Sequence, residues 1–237
     1  MTFSIIARDE MTGRVGVAVA SRFFAVGARN IFVRSGVGAI ASQALCNPYY
    51  GPQGLALLAA GASAKDAVRL LTANDDGRSR RQVHIMDRDS TFAAYTGAEC
   101  AGWCGHLLRP TYSLAGNILA SADVLDAMAD AYDANFALPF ARRLIAAMQA
   151  GESAGGDSRG RQSAALLVHD EEDYSLLDLR VDDHPDPLQE IARLEEVARS
   201  SWVHFRRILP NRHEPNGVLD PVELDARIAA SIAEDYE

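Results

Sequence analysis

Lysine is almost absent from this chain: Lys65 stands alone against 22 arginines. Chemistry that needs a titratable side-chain amine therefore rests on one residue, because arginine stays protonated and acts as an anchor, not a base. Cysteine is scarce as well. Cys46, Cys100 and Cys104 are too few and too irregularly spaced for a disulfide framework. Cys100 and Cys104 lie near Trp103 and His106, but no second Cys or His pair completes the four ligands of a zinc site, so no metal is expected. No base can be named beside Cys46 to make it a nucleophile. No run reaches the roughly 20 apolar residues of a membrane span. The N-terminus lacks the basic and apolar regions of a signal peptide, so the expectation is a cytoplasmic protein without a membrane partner. A net charge of −9 leaves no basic stripe for phosphates and argues against nucleic acid as a partner. The glycine-rich stretch 155–163 lacks the spacing and the lysine of a P-loop, and no cofactor is expected.

What is present is ample apolar material, 48% of 237 residues, in a length that suits one α/β-type domain. Four short apolar runs open the chain: Thr2 to Arg8, Val15 to Arg22, Ile31 to Arg34 and Val37 to Gln43. The polar turn Asp9-Glu10-Met11-Thr12-Gly13 between the first two has hairpin chemistry. Alanine–leucine spacing predicts helices over Gly54–Ala62 and Ala64–Ala73, the second led by Ser63 as a cap with Asp66 three residues on. Alternating strands are expected at Arg81–Asp87 and Thr91–Thr96, and a further strand over Pro110–Leu119. Helices follow over Val124–Asn135, after a cap at Ser121, and over Leu138–Ala150. A Gly/Ser/Arg loop over 151–161 leads to strands at Ser163–Val168 and Tyr174–Val181, then a helix from about Pro187 to Ser200. Periodicity alone yields an α+β chain in which two sheets are possible.

Threonine at position 2 heads the first strand. Removal of Met1 would give it a free α-amine, with an ordinary pKa of about 7.7–8.0. One residue would then supply both the attacking oxygen and its general base. The simpler reading is a β-branched residue that starts a strand.

The order of the opening strands resembles the N-terminal nucleophile (Ntn) hydrolases, in which a mature threonine opens the first strand and a Ser-Arg pair, here Ser21-Arg22, closes the second. The chain as a whole resembles more closely the bacterial DUF1028 family of that superfamily. The matching stretches are Thr2-Phe3-Ser4-Ile5, Gly16 to Phe23, Asn47-Pro48-Tyr49-Tyr50-Gly51-Pro52, Gly116-Asn117-Ile118-Leu119, Gly155-Gly156-Asp157 through Ala165, and Val181 to Pro187. Together they span about residues 2 to 195. The resemblance implies a four-layer αββα sandwich, Ntn-hydrolase-like, and hydrolysis of a small amide or peptide-like bond. The pattern departs from the proteasomal branch: strands three and four hold no lysine, and Ala20 stands where that branch has an aspartate.

On this reading Thr2, Arg22 and Asn117 are the catalytic candidates. Arg22 would supply the positive charge that a lysine provides elsewhere, and Asn117 would face an oxyanion or, alternatively, serve turn chemistry with Gly116. Asp157, Arg161, Gln162 and Ser42 are the substrate-binding candidates. The loop carrying the first three is either a solvated linker or an anchored binding loop, and its arginine forks suit a carboxylate. Asp182-Asp183-His184-Pro185-Asp186-Pro187 reads as a rigid strand-to-helix turn more than as a metal or catalytic cluster. Neither His84, a strand residue, nor His169 has an identifiable triad partner.

Residues 1–200 form the expected Ntn-like domain. Residues 201–237, a linker around Pro210 to Gly217 and a last helix from Asp220 or Pro221 to Glu234, are too few to bury a core of their own. They are expected to pack as an arm on the body or on a neighbouring subunit of a homodimer or larger homo-oligomer. The expected substrate is a small amide or a carboxylate-bearing molecule. The alternative is a non-catalytic small-molecule-binding protein that keeps the fold.

Overall fold

A computed structural model describes residues 2–234. Met1, whose removal the Thr2 chemistry requires, and residues 235–237 lie outside them.

The chain opens with β1 (Thr2–Arg8) and β2 (Val15–Ser21), joined by the expected turn, in which Gly13 takes φ +72° and Asp9 accepts the Thr12 N–H. A single helical turn, α1 (Gly27–Asn30), precedes β3 (Ile31–Arg34) and β4 (Gly38–Ala44). Next come α2 (Tyr50–Ala59), α3 (Ala64–Ala73), a 3₁₀ turn (Arg78–Arg80), β5 (Arg81–Asp87), β6 (Phe92–Thr96), β7 (Trp103–Leu108) and β8 (Tyr112–Leu119). The second half holds α4 (Asp123–Ala134), α5 (Phe140–Ser153), β9 (Ser163–His169), β10 (Leu177–Val181) and α6 (Pro187–Val197). After a π-helical segment (Ala198–Trp202) the chain ends in α7 (Val203–Arg206) and α8 (Pro221–Ala233).

The start of α2 and the strand β7 depart from expectation. The α2 helix starts at Tyr50, earlier than the apolar spacing indicated, because Pro52 falls in the first turn, where its missing N–H has no partner to lose. It stops at Ala59 because Gly61 takes φ +93°. Gly61 N–H and Ala62 N–H then close back on the carbonyls of Leu58 and Leu57 as a Schellman cap. The strand β7 was not foreseen. It lies at a sheet edge with a bulge between Trp103 and Gly105, and its half-exposed residues leave no clean alternation.

The strands form two sheets, ordered β10-β9-β2-β1-β8-β7 and β3-β4-β5-β6, with every pairing antiparallel. Alternation divides each central strand into two faces. Phe3, Ile5 and Ala7 pack with residues of α4, α5 and α6. Ile6 of the opposite face packs with Val17, Val19, Ala39, Ala41 and Met86, residues of both sheets. On the smaller sheet Ile40, Val83 and Ile85 face α2 and α3. Lys65 sits exposed on α3. The segment after α6 is tied to the body: Trp202 Nε1 donates to Leu176 O, and Arg206 pairs with Asp170 at 2.7 Å. His204 joins α7 to α8 through Ser231 Oγ at 2.8 Å. Among the described residues no helix is long and apolar enough to cross a membrane.

Gly16 on β2 marks a close approach of α5 to the larger sheet. A Cβ there would come within 2.5 Å of Leu144 Cδ1 and 2.8 Å of Phe140 Cε1, both on α5. Gly16→Val is expected to push α5 outward and destabilise the fold by about 1–3 kcal/mol. Urea unfolding should show a lower midpoint at an unchanged slope.

Candidate active site

The layer between the sheets changes character along its length. It is apolar around Ile6 and Val17, and polar at the end where β1 begins. There Thr2 pairs with Ser21 of β2 on one side and Asn117 of β8 on the other. Thr2 Oγ1 lies 3.1 Å from Ser21 Oγ. Both side chains line a cavity of ≈ 730 Å³ whose walls also include Asn117, Asn30, Cys46, Cys100 and three arginines, Arg29, Arg80 and Arg159.

Below Thr2 a buried polar network links the two sheets. The Thr2 carbonyl faces two amide donors, Asn117 Nδ2 at 3.4 Å and Gln43 Nε2 at 3.5 Å. Both amides also donate to Gln82 Oε1, at 3.0 and 2.8 Å. Gln82 Nε2 in turn reaches the carbonyls of Gly116 and Gly105 and the Thr96 hydroxyl. Deeper, Ser4 Oγ donates to Gln43 Oε1 at 2.7 Å and lies 2.9 Å from His84 Nε2, while His84 Nδ1 lies 2.8 Å from Ser113 Oγ. The Ser4 proton is engaged by Gln43, so His84 donates from Nε2 and accepts the Ser113 hydroxyl at Nδ1. That assignment requires a neutral ring. Burial agrees, pushing the His84 pKa down to about 3, with the nearby His106 lowering it further.

The sequence candidates are placed unevenly. Thr2 and Asn117 line the cavity. The Asn117 amide nitrogen is directed at Gln82 and the Thr2 carbonyl, so it holds the head of β1 in place. Asp157 is buried beside the cavity. It accepts the Arg22 backbone N–H at 2.7 Å, the Arg159 N–H at 2.9 Å and the Arg159 guanidinium at 3.3 Å. Arg22 thus meets Asp157 through its main chain, while its exposed guanidinium donates to the Arg161 carbonyl at 3.1 Å and is not among the cavity's lining groups. Arg161 pairs with Glu152 at 2.7 Å and Asp186 at 3.3 Å, and Gln162 donates to Asp183. Neither lines the cavity; Arg159, two residues earlier in the loop, does. Ser42 falls on the Ile40 face of β4, 3.4 Å from Asn47 O and 4.0 Å from Cys46 Sγ. The alternation of the strand turns Gln43 toward Thr2 instead. Gln43 and Arg29 were not singled out from sequence; Ser21 entered only in the Ser21-Arg22 pair, and Arg80 and Gln82 only as part of the run Arg80-Arg81-Gln82 that leads into a strand. Once the strand pairing is known, the register that sets Thr2 opposite Ser21 picks out that residue, and the alternation of β4 picks out Gln43 over Ser42.

Two residues lining the cavity, Ala44 and Ile118, adopt φ of +68° and +53°. For β-branched Ile118 this is a costly conformation. Its N–H donates to Ala101 O at 2.9 Å, and its carbonyl accepts from Ser158 Oγ at 3.1 Å. Among the described residues no cluster of three or more His, Cys, Asp or Glu side chains could hold a metal ion.

Residues 2–191 match a family of unknown function, DUF1028. The chain belongs to this DUF1028 family. No curated protein matches it. Among solved structures, protein SPO2555 from Silicibacter pomeroyi, itself assigned to DUF1028, is 35% identical over 92% of this chain and 96% of that one, with a TM-score of 0.86. Anbu (ancestral beta-subunit) from Yersinia bercovieri aligns over 84% of this chain and 96% of that one at 12% identity, with a TM-score of 0.40, a likeness too low to establish a shared fold.

In this DUF1028 protein the neutral His84 gives the network a pH signature. Its folded-state pKa lies below the ordinary 6.5, so its contribution to stability is complete above that value. It is lost as pH falls from 6.5 toward about 3, where the unfolded chain takes up a proton that the folded chain refuses. Unfolding free energy is expected to decline with an added slope approaching 1.4 kcal/mol per pH unit, roughly one proton's worth. His84→Gln should remove that component, measured by denaturant titration at a series of pH values.

Proposed function

We propose that this DUF1028 protein is an amidohydrolase of the Ntn type with Thr2 as its nucleophile, and that its two sheets and flanking helices form the four-layer αββα sandwich of that superfamily. The observation that carries the proposal is the position of Thr2. Thr2 lies on the cavity wall with its hydroxyl 3.1 Å from Ser21 Oγ, and its carbonyl is gripped by the Gln43 and Asn117 amides. A side chain that merely starts a strand does not need a cavity in front of it and a supporting network behind.

In the proposed reaction, removal of Met1 frees the Thr2 amine. That amine takes the hydroxyl proton as Thr2 Oγ1 bonds to the amide carbon. Arg159, one of the three arginines on the cavity wall, supplies the charge that favours the tetrahedral oxyanion. Collapse breaks the C–N bond, and the proton held by the Thr2 amine passes to the leaving nitrogen. Water, deprotonated by the same amine, then cleaves the Thr2 ester, releasing the acid and restoring the hydroxyl. Ser21 orients the Thr2 hydroxyl. Asp157 fixes the end of β2 through the Arg22 N–H and holds Arg159 in place.

The test begins with intact mass from the native host at native expression, expected to be short by one methionine. Turnover of a panel of small amides and dipeptides should then fall by at least ~10³-fold in Thr2→Ala, with an unchanged far-ultraviolet spectrum and melting temperature. Full activity in Thr2→Ala would end the assignment. A retained methionine would make the Thr2 nitrogen an amide without basicity, and the non-catalytic binding reading would replace this one.

A further inference from the structure

The cavity in front of Thr2 inverts the charge of the protein around it. The chain carries −9 overall, yet the charged groups lining the cavity are three arginines and one glutamate. A basic cleft in an acidic surface concentrates anions.

The three arginines are not equivalent. Arg80 is paired with Glu99 at 3.0 Å. Arg159 is bound to Asp157 at 3.3 Å. The Arg29 guanidinium has no hydrogen bond or ion pair among the described residues. Its backbone, by contrast, is well fixed at the end of α1. Asn30 Nδ2 donates to Ser42 O at 2.8 Å, Val26 N–H donates to Ser163 Oγ at 3.1 Å, and the Arg29 carbonyl faces Cys46 Sγ at 3.8 Å. Arg29 also favours the ionised form of Cys46 on the cavity wall, although burial raises that thiol overall. An arginine on a fixed stem at the cavity wall, with no side-chain partner among the described residues, matches a carboxylate that accepts two parallel hydrogen bonds. Beside it the wall is apolar, formed by Phe23, Val26, Leu45 and Pro48.

We infer that the molecule taken by this cavity carries a free carboxylate held by Arg29 and an apolar side chain seated against Phe23, Val26 and Leu45, the pattern of an N-acylated apolar amino acid. This deepens the amidohydrolase reading and rests on it for the reaction, but the recognition itself does not depend on turnover. The carboxylate stays a spectator, while the N-acyl bond is the one that reaches Thr2.

The test is calorimetric binding of N-acetyl-leucine and of neutral N-acetyl-leucinamide to the full chain carrying Thr2→Ala, which cannot consume either probe by the proposed route. The acid is expected to bind at least ~10-fold tighter than the amide, the scale of a charge-assisted hydrogen bond. The preference should shrink with added salt. Adding Arg29→Gln should abolish it and leave the affinity for the amide unchanged, and Arg29→Lys should restore part of it. Equal affinities, failure of both probes to bind, or a preference that survives Arg29→Gln would overturn the inference. If the preference holds while the wild-type chain hydrolyses neither N-acetyl-leucine nor other amides, the carboxylate site stands and the hydrolase reading fails.

Discussion

Gln82 carries the largest share of the hydrogen bonds that join the two sheets, which Ser4, His84 and Ser113 extend deeper between them. Its single carbonyl oxygen receives both the Gln43 and the Asn117 amides, and its nitrogen reaches the carbonyls of Gly105 and Gly116 on the opposite sheet. All of these groups but the half-buried Gly105 carbonyl are buried, where a missing partner would cost the full desolvation of the one left behind. The network therefore tolerates little displacement of any member. Since two of its amides end on the Thr2 carbonyl, the head of β1 inherits that intolerance. The hydroxyl of Thr2 thus depends in part on Gln43 and Gln82, which do not line the cavity.

The rim above this rigid floor is built differently. Ala44 and Ile118 line the cavity in left-handed conformations, and Ala25, next to the lining residue Val26, takes φ +53°. Such positions persist only when their surroundings dictate them. Ile118 is held from two sides, by Ala101 and by Ser158 of the 155–160 loop, while Asp157 of the same loop pins the end of β2. One loop thus fastens the ends of both strands that flank β1. The cavity combines an unstrained hydrogen-bonded floor with walls whose backbone is under local strain.

Much of the frame was legible in the residues. The opening hairpin, the Ser63 cap of α3 and the strands at Arg81 and Ser163 follow from spacing and turn chemistry, which are local. The start of α2 at Tyr50 and the edge strand β7 were not legible, because one depends on a proline tolerated in a first turn and the other on pairing with β8. At the site the division is similar. Thr2 and Asn117 announce themselves by position and type. The choice of Gln43 over Ser42, or of Arg159 over Arg161, depends on which way a strand or loop faces. That is decided by partners far away in the chain, such as Glu152 and Asp186 for Arg161. Arg29 could not be recognised in isolation, since its distinguishing feature is that, among the described residues, its side chain lacks the kind of partner that Arg80 and Arg159 have.

The solitary Lys65 lies exposed on α3, which contributes nothing to the cavity wall. Reagents that acylate amines therefore meet one side chain remote from Thr2, plus whatever α-amine the chain carries. Labelling with such a reagent is almost a two-site experiment, in which Lys65 serves as an internal standard of ordinary reactivity. The nitrogen that the proposed chemistry depends on can be read against it directly, peptide by peptide, without knowledge of any substrate.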